Sequence, residues 1–322
     1  MNDVTLLCVN YYTAKFIRFQ QWCLRQITSP ETTLRWFIID NTPDDSERHL
    51  LSAQPDTVLL ESNIREEFSH DKIDPKFSPR SSQHALALNA LMEHVKTPYG
   101  LIIDPDCFVT CIHWDSLLFD ALRQTGAPLI GAPYHPSRRL KYGQNFPTVT
   151  FMLFEAKRFL PLGIDFRPGL YPDLESIWYR SPLLKRFKHG TWKDTGWQTS
   201  LRFREAGLQA VCFDAPILRP HVRRSPVRRF LSHLVPEAWL TWPRHPFERP
   251  DDGLIAELQL YRAPGHERYE EYYFRNKFFL CHLRGIAQLK VPFESRPAQF
   301  WIRRIAAHLQ LDYGQFVRSL KT

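Results

Sequence analysis

The chain has 322 residues, 43% of them hydrophobic and 24% charged, a length and balance that allow one large α/β domain with or without an appendage. No apolar run nears the roughly 18 to 20 residues that a membrane-crossing helix needs, and the six cysteines stand singly, without the paired C-x-x-C of a zinc site. The 42 Lys and Arg against 34 Asp and Glu leave a formal charge of +8, which suits anionic partners such as nucleotide diphosphates, acidic glycans or lipid headgroups.

In chain order, strands are expected at Val4–Val9, Leu34–Asp40 and Thr57–Glu61, with a helix over Thr13–Ile27 between the first two. Arg65–Arg80 is polar, contains Pro and lacks apolar periodicity, so it reads as a loop over the sheet edge. A helix over Ser82–Val95 follows, with Ala85, Leu88, Leu91, Met92 and Val95 along one face and Ser81 or Ser82 as its N-cap. Next come a strand at Tyr99–Asp104, a helix after Trp114, and strands at Pro128–Ala132, Thr148–Phe154 and Gln209–Phe213. Pro133–Pro147 is a second long loop. Short apolar runs alternating with amphipathic ones are the βαβ signature of a mostly parallel sheet. Near residues 216–225 the alternation stops, and Pro, Arg and aromatics take over, Arg219, Arg223, Arg228 and Arg249 among them. The chain is therefore divided into 1–220 and a basic, mostly helical 221–322 stretch. Its arginines suit either a solvated surface or a patch facing a membrane or an acceptor.

The strongest chemical signal is Tyr99 through Val109, where an apolar strand runs out into Asp104-Pro105-Asp106. At the carboxyl end of a parallel strand, both acids reach the crevice in which open α/β sheets bind ligands. Two hard oxygen ligands, with the phosphates of a nucleotide, complete an octahedral Mg²⁺ or Mn²⁺ shell. Such an ion neutralises charge on a departing diphosphate.

Four segments in order place this pair in a context: Val9-Asn10-Tyr11-Tyr12, Phe37 through Thr42, Ser81 through Asn89, and Thr97 through Asp106. In these the chain resembles the family 2-like glycosyltransferases of the GT-A fold, over roughly residues 4–110. The resemblance implies an α/β fold with a mostly parallel sheet flanked by helices, and metal-dependent sugar transfer from a nucleoside-diphosphate donor to a glycan hydroxyl. It places Asn10, Tyr11 and Asp40 at the base and ribose, and Ser81, His84 and Asn89 near the diphosphate and ribose at a helix N-terminus suited to anions. Asp104 then lies toward ribose and metal, with Asp106 the firmer metal ligand.

Lys193 through Gln198 resembles the acidic helix start that carries the family's catalytic carboxylate, which makes Asp194 the base for the acceptor proton. Asp is also a preferred N-cap, so capping of a Thr195–Arg204 helix is the alternative, and Asp173 and Glu175 are the reserve bases. His282 resembles the late histidine that many GT-A enzymes add to the metal shell, or is a core residue, and Arg284 could face phosphates. Other classes carry marks this chain lacks. There is no glycine in the loop after the first strand for a nucleotidyltransferase, no P-loop, and no nucleic-acid-binding signature beside the arginines. A non-catalytic basic module or a scaffold with this fold stays open. The Met1–Val4 start shows no leader, so the expectation is a cytoplasmic enzyme of surface polysaccharide assembly, with reduced thiols and peripheral contact with anionic membrane.

Overall fold

The computed structural model describes residues 2–52, 54, 56–62, 79–134, 146–170, 192–215, 254, 269–284 and 292–320. Most of the two expected loops, the arginine-rich stretch from 219 to 249, the boundary at 220, and Asp173 and Glu175 lie outside these residues. The first part of the chain runs β1 (Asn2–Asn10), α1 (Ala14–Ile27), β2 (Thr32–Asp40), α2 (Arg48–Ser52), β3 (Thr57–Glu61), α3 (Pro79–Met92) and β4 (Tyr99–Ile103). It continues with β5 (Cys107–Val109), α4 (Trp114–Thr125), β6 (Leu129–Pro133), β7 (Pro147–Glu155) and α5 (Ala156–Phe159). After β8 (Gly169–Leu170), β9 (Trp192–Lys193), α6 (Gln198–Glu205) and β10 (Val211–Cys212) come β11 (Tyr269–Phe274), β12 (Lys277–Leu283), α7 (Arg296–His308) and α8 (Tyr313–Ser319).

Among the described residues the main sheet has seven strands in the order β10-β6-β7-β4-β1-β2-β3. Only β7 runs against its neighbours, so the expectation of a mostly parallel α/β sheet holds. Period-two alternation sorts its side chains between two cores. Leu6, Cys8, Trp36, Ile38, Leu101 and Leu153 point to one, shared with α1, α4, α7 and α8. Leu7, Val9, Phe37, Ile39, Ile102 and Met152 point to the other, shared with α3. β1 leads to β2 on one side, whereas the chain returns through α3 to β4 on the other. This reversal creates a switch point at the carboxyl ends of β1 and β4, where doubly wound sheets bind ligands.

The described residues of the C-terminal stretch combine strands with helices. Among the described residues it opens with the β11–β12 hairpin, which pairs antiparallel with β5 in a three-stranded sheet. Its two-residue turn places Arg275 at φ 50° and Asn276 at φ 60°, a type I′ turn made without glycine. The hairpin, α7 and α8 are not packed as a separate core. Tyr269 stacks on Trp301 with ring centroids 3.8 Å apart, and Phe316 of α8 meets Phe19 of α1 at 5.1 Å. The helix over residues 79–92 begins three residues earlier than Ser82, so Ser81 and Ser82 lie in its first turn instead of capping it. Pro79 suits that start, because a proline loses nothing by lacking an N–H there. No helix among the described residues is long and apolar enough to cross a membrane, and none of the six cysteines is in a disulfide.

Close backbone approach makes one glycine obligatory: a Cβ at Gly131 would stand 2.1 Å from the Phe151 carbonyl oxygen across the β6–β7 pair. Gly131→Ala is expected to destabilise the protein by about 1–3 kcal/mol through overpacking, seen as a lower denaturant midpoint at unchanged slope.

Candidate metal and nucleotide site

Pro105 has no N–H to give a ladder, so the main-sheet pairing of β4 stops at Ile103. Asp104 still donates its N–H to Thr150 O (3.0 Å), and Cys107 N–H closes a turn on Asp104 O (3.0 Å). Gln20 of α1 reaches this turn from beneath, donating its amide to Asp104 O (2.9 Å) and to Cys107 O. β5 then leaves for the second sheet, where Cys107 lies opposite His282 and Leu283 N–H donates to Asp106 O at 2.9 Å.

That exchange of partners buries Asp106 against His282, each 4% exposed, with Oδ1 and Nε2 3.3 Å apart. On the other side of the ring, Nδ1 lies 3.1 Å from Glu270 Oε2. Burial disfavours a charged imidazole here, but Asp106 and Glu270 outweigh it and push the His282 pKa up to about 10. The donor set fits a hard divalent ion. Two neighbouring ligands at about 2.1 Å from such an ion stand about 3 Å from each other, close to the observed gap. Cys107 Sγ lies within 4.8 Å of both groups. Burial pushes its thiol pKa well up, with the nearby carboxylates adding to this, and as a soft donor it suits a hard divalent ion less than the carboxylate does.

Asp104 belongs to the opposite side of the turn, toward α3. His84 Nε2 lies 3.7 Å from Asp104 Oδ1, beyond hydrogen-bond range. Burial lowers the His84 pKa to about 4 despite the pull of Asp194 and Asp106, so at neutral pH this imidazole is uncharged, with 27% of its side chain still exposed. Thr195 Oγ1 donates to Ser81 O at 3.3 Å, which holds the loop carrying Asp194 against the first turn of α3. The alternative role for Asp194 does not survive: α6 begins at Gln198 with Trp197 at its N-cap, and Asp194 Oδ1 accepts instead from Thr195 N–H at 2.9 Å. Gly196, at φ +77°, breaks the helical backbone between them, and its N–H is tied to Phe166 O at 2.8 Å.

Near the switch point the structure thus brings Asp104 to His84, Asp106 to His282, and the loop of Asp194 to Ser81. No protein-family model matches the chain. No curated protein matches it either. Among solved structures it is similar to a mannosyltransferase from Pyrobaculum calidifontis in complex with GDP-Man and Mn²⁺, at 14% identity and TM-score 0.42, over 99% of this chain and 78% of that one. It is also similar to residues 1–349 of S. aureus TarS, at 12% identity and TM-score 0.35 over 52% of this chain. A third is the galactosyltransferase LgtC with donor and acceptor sugar analogs, at 13% identity and TM-score 0.37, over 65% and 72% of the two chains. The match spans only half of the TarS chain, 50%. At such identities and TM-scores these likenesses assign no residue, and the functional reading rests on the site.

Four residues expected at the nucleotide, Asn10, Asp40, Tyr11 and Asn89, make local contacts within the fold. Asn10 is fully buried; its amide donates to Asp40 Oδ1 (2.9 Å) and Thr42 Oγ1 (3.1 Å), and its carbonyl accepts from Thr13 N–H (2.9 Å). It therefore holds Asp40 and the start of α1 in place from behind the surface. Asp40 is partly exposed, and its Oδ1 also accepts from Thr42 N–H at 2.9 Å. Tyr11, also partly exposed, packs edge-on against Tyr12 at 5.1 Å. Asn89 lies farther along α3, bridging Asp165 Oδ1 (2.8 Å) and Phe166 N–H (2.9 Å), a strut between helix and loop. Sequence reasoning missed Gln20 and Glu270. The first is a polar residue inside an apolar helix face. The second is an acid in the aromatic run Tyr269-Glu270-Glu271-Tyr272-Tyr273, where strand alternation was the available signal.

Gln20→Leu removes the donor from two carbonyls of the acidic turn. Asp104 O keeps its bond from Cys107 N–H, so a loss of about 1 kcal/mol is expected, measured by chemical denaturation.

Proposed function

We propose that this chain is a GT-A glycosyltransferase that moves a sugar from a nucleoside-diphosphate donor to a glycan hydroxyl. The observation that carries the reading is the Asp104-Pro105-Asp106 turn at the switch point, closed by the buried contact of Asp106 with His282. Asp106 and His282 would hold Mn²⁺ or Mg²⁺, with Asp104 facing metal and ribose. When bound, the ion supplies positive charge against the leaving diphosphate.

The chain's own groups then divide the remaining work. Asp40 and Tyr11, partly exposed after β2 and β1, suit the base and ribose. Asn10 keeps Asp40 oriented. The first turn of α3, with Ser81, faces anionic oxygens with its N–H groups. His84, neutral, offers a hydrogen bond without adding charge. Asp194 takes the proton of the attacking acceptor hydroxyl, a role supported by the hold of its loop on the first turn of α3 and by its not serving as a helix cap. The net charge of +8 favours an anionic donor and acceptor, in keeping with surface polysaccharide assembly at a membrane face.

Calorimetric titration with UDP-, GDP-, CMP- and dTDP-sugars in Mn²⁺ tests the site. Tight binding of one nucleotide class is expected, lost in EDTA and in Asp106→Ala; binding indifferent to both would sink the proposal. Asp194→Asn is expected to lower turnover by about 10²- to 10⁴-fold with donor affinity unchanged. Loss of donor binding without a turnover defect would remove Asp194 from the base role.

A further inference from the structure

Glu270 carries a buried carboxylate, 4% exposed, in a strand whose six residues are all buried. An unpartnered carboxylate would be costly there, so its surroundings report what it does. In the β11–β12 register it lies directly opposite His282, which puts both side chains on one face of the hairpin. Oε2 lies 3.1 Å from His282 Nδ1 and accepts from the Tyr272 hydroxyl at 3.3 Å. Arg284, two residues beyond His282 and so on the same face, brings Nε to 3.1 Å from Oε1 as an ion pair, without hydrogen-bond alignment. The carboxylate is therefore anchored from two directions and turned toward one nitrogen of the ring.

A neutral imidazole has two tautomers, and only one leaves Nε2 with a lone pair. We propose that Glu270 is a positioning residue of the metal site: held by Tyr272 and Arg284, it keeps the Nδ1 proton of His282 and thereby presents the Nε2 lone pair to an ion bound at Asp106. This inference rests on the metal-site reading above. Glu270 does not touch the ion, and its effect passes through the ring of His282. Partners of this kind in the outer shell typically change metal affinity by about 10- to 100-fold.

The test is titration of the full chain with Mn²⁺ alone, followed by the loss of the free-ion EPR signal, for wild type, D106A, E270Q and E270M. E270Q retains an oxygen to accept the Nδ1 proton; E270M fills a similar volume with no acceptor of that strength. Expected are wild-type binding, its loss in D106A, an affinity for E270Q within about threefold of wild type, and a drop of about 10- to 100-fold in E270M. Ring ¹⁵N spectra of the Mg²⁺-loaded protein should show His282 protonated at Nδ1 in wild type and E270Q. E270M binding Mn²⁺ like wild type, while D106A does not, would overturn the role of Glu270 and leave the metal site standing. Absence of binding in wild type, or equal binding in D106A, would overturn the site itself. Should E270M fail to fold, a wild-type ring protonated at Nε2 would overturn the inference by itself.

Discussion

Much of this molecule follows from the peptide nitrogen of Pro105, which has no proton to give. β4 is a central strand with partners on both sides, and a continuing strand would keep Asp104 and Asp106 together on one face of one sheet. Proline ends that ladder, and the three residues that follow the turn pair with β12 instead. Asp104 thus stays with the main sheet, where it donates to Thr150 O, while Asp106 crosses to the second sheet and meets His282. Gln20 spans the junction by bonding carbonyls on both sides of it. The two acids are separated only by Pro105 but sit in different environments, one half-open toward α3 and one sealed.

The same junction concentrates negative charge. Asp104, Asp106, Asp194 and Glu270 converge on a region whose described cationic neighbours include Arg284, paired with Glu270, and the protonated His282. His84 faces the same acids yet burial keeps it neutral. Carboxylates gathered in a low-dielectric crevice repel one another unless positive charge stands between them. In the metal-free chain the imidazolium of His282 does this for Asp106 and Glu270. A divalent cation is the natural replacement, since one ion can serve Asp106, Asp104 and a diphosphate at once. The arrangement favours a reaction in which charge arrives with the substrate and must be balanced there.

The sheet and the acidic turn were legible because they depend on short-range patterns. Apolar runs such as Leu34–Asp40 and Tyr99–Asp104 end in acids, and the amphipathic spacing of Thr13–Ile27 marks a helix whatever surrounds it. What stayed hidden depends on pairing across distance. The hairpin turn at Arg275-Asn276 lacks the glycine that usually announces it, and the all-buried strand β11 has two glutamates where a core strand should be apolar. Only the fold shows that Glu271 is satisfied by the hydroxyls of Tyr269 and Tyr273, each at 2.7 Å, and Glu270 by His282 and Tyr272. Asn10 shows the same dependence on distance: it is the last residue of β1, and the way its amide faces is set by neighbours as remote as Thr42 and Glu47. The end of the Asp194 loop was misread for a local reason: Gly196 takes a left-handed conformation, so the helix starts later than its composition suggests.

The composition of the chain changes near residue 220, but the packing of the described residues does not divide there. Phe16, Phe19 and Trp36 from the first strands and helices share one core with Phe279, Trp301 and Phe316. The contact of Asp106 with His282 repeats this, since Asp106 lies in the turn between β4 and β5 and His282 in a hairpin far along the chain. Contacts between such distant segments form late, because the closure entropy must be met before they can stabilise anything. Pairing of the hairpin with β5 seals Asp106, aligns His282 and buries Glu270 together. The proposed chemistry, placed at the junction of the two sheets, therefore depends on that pairing as well as on each sheet.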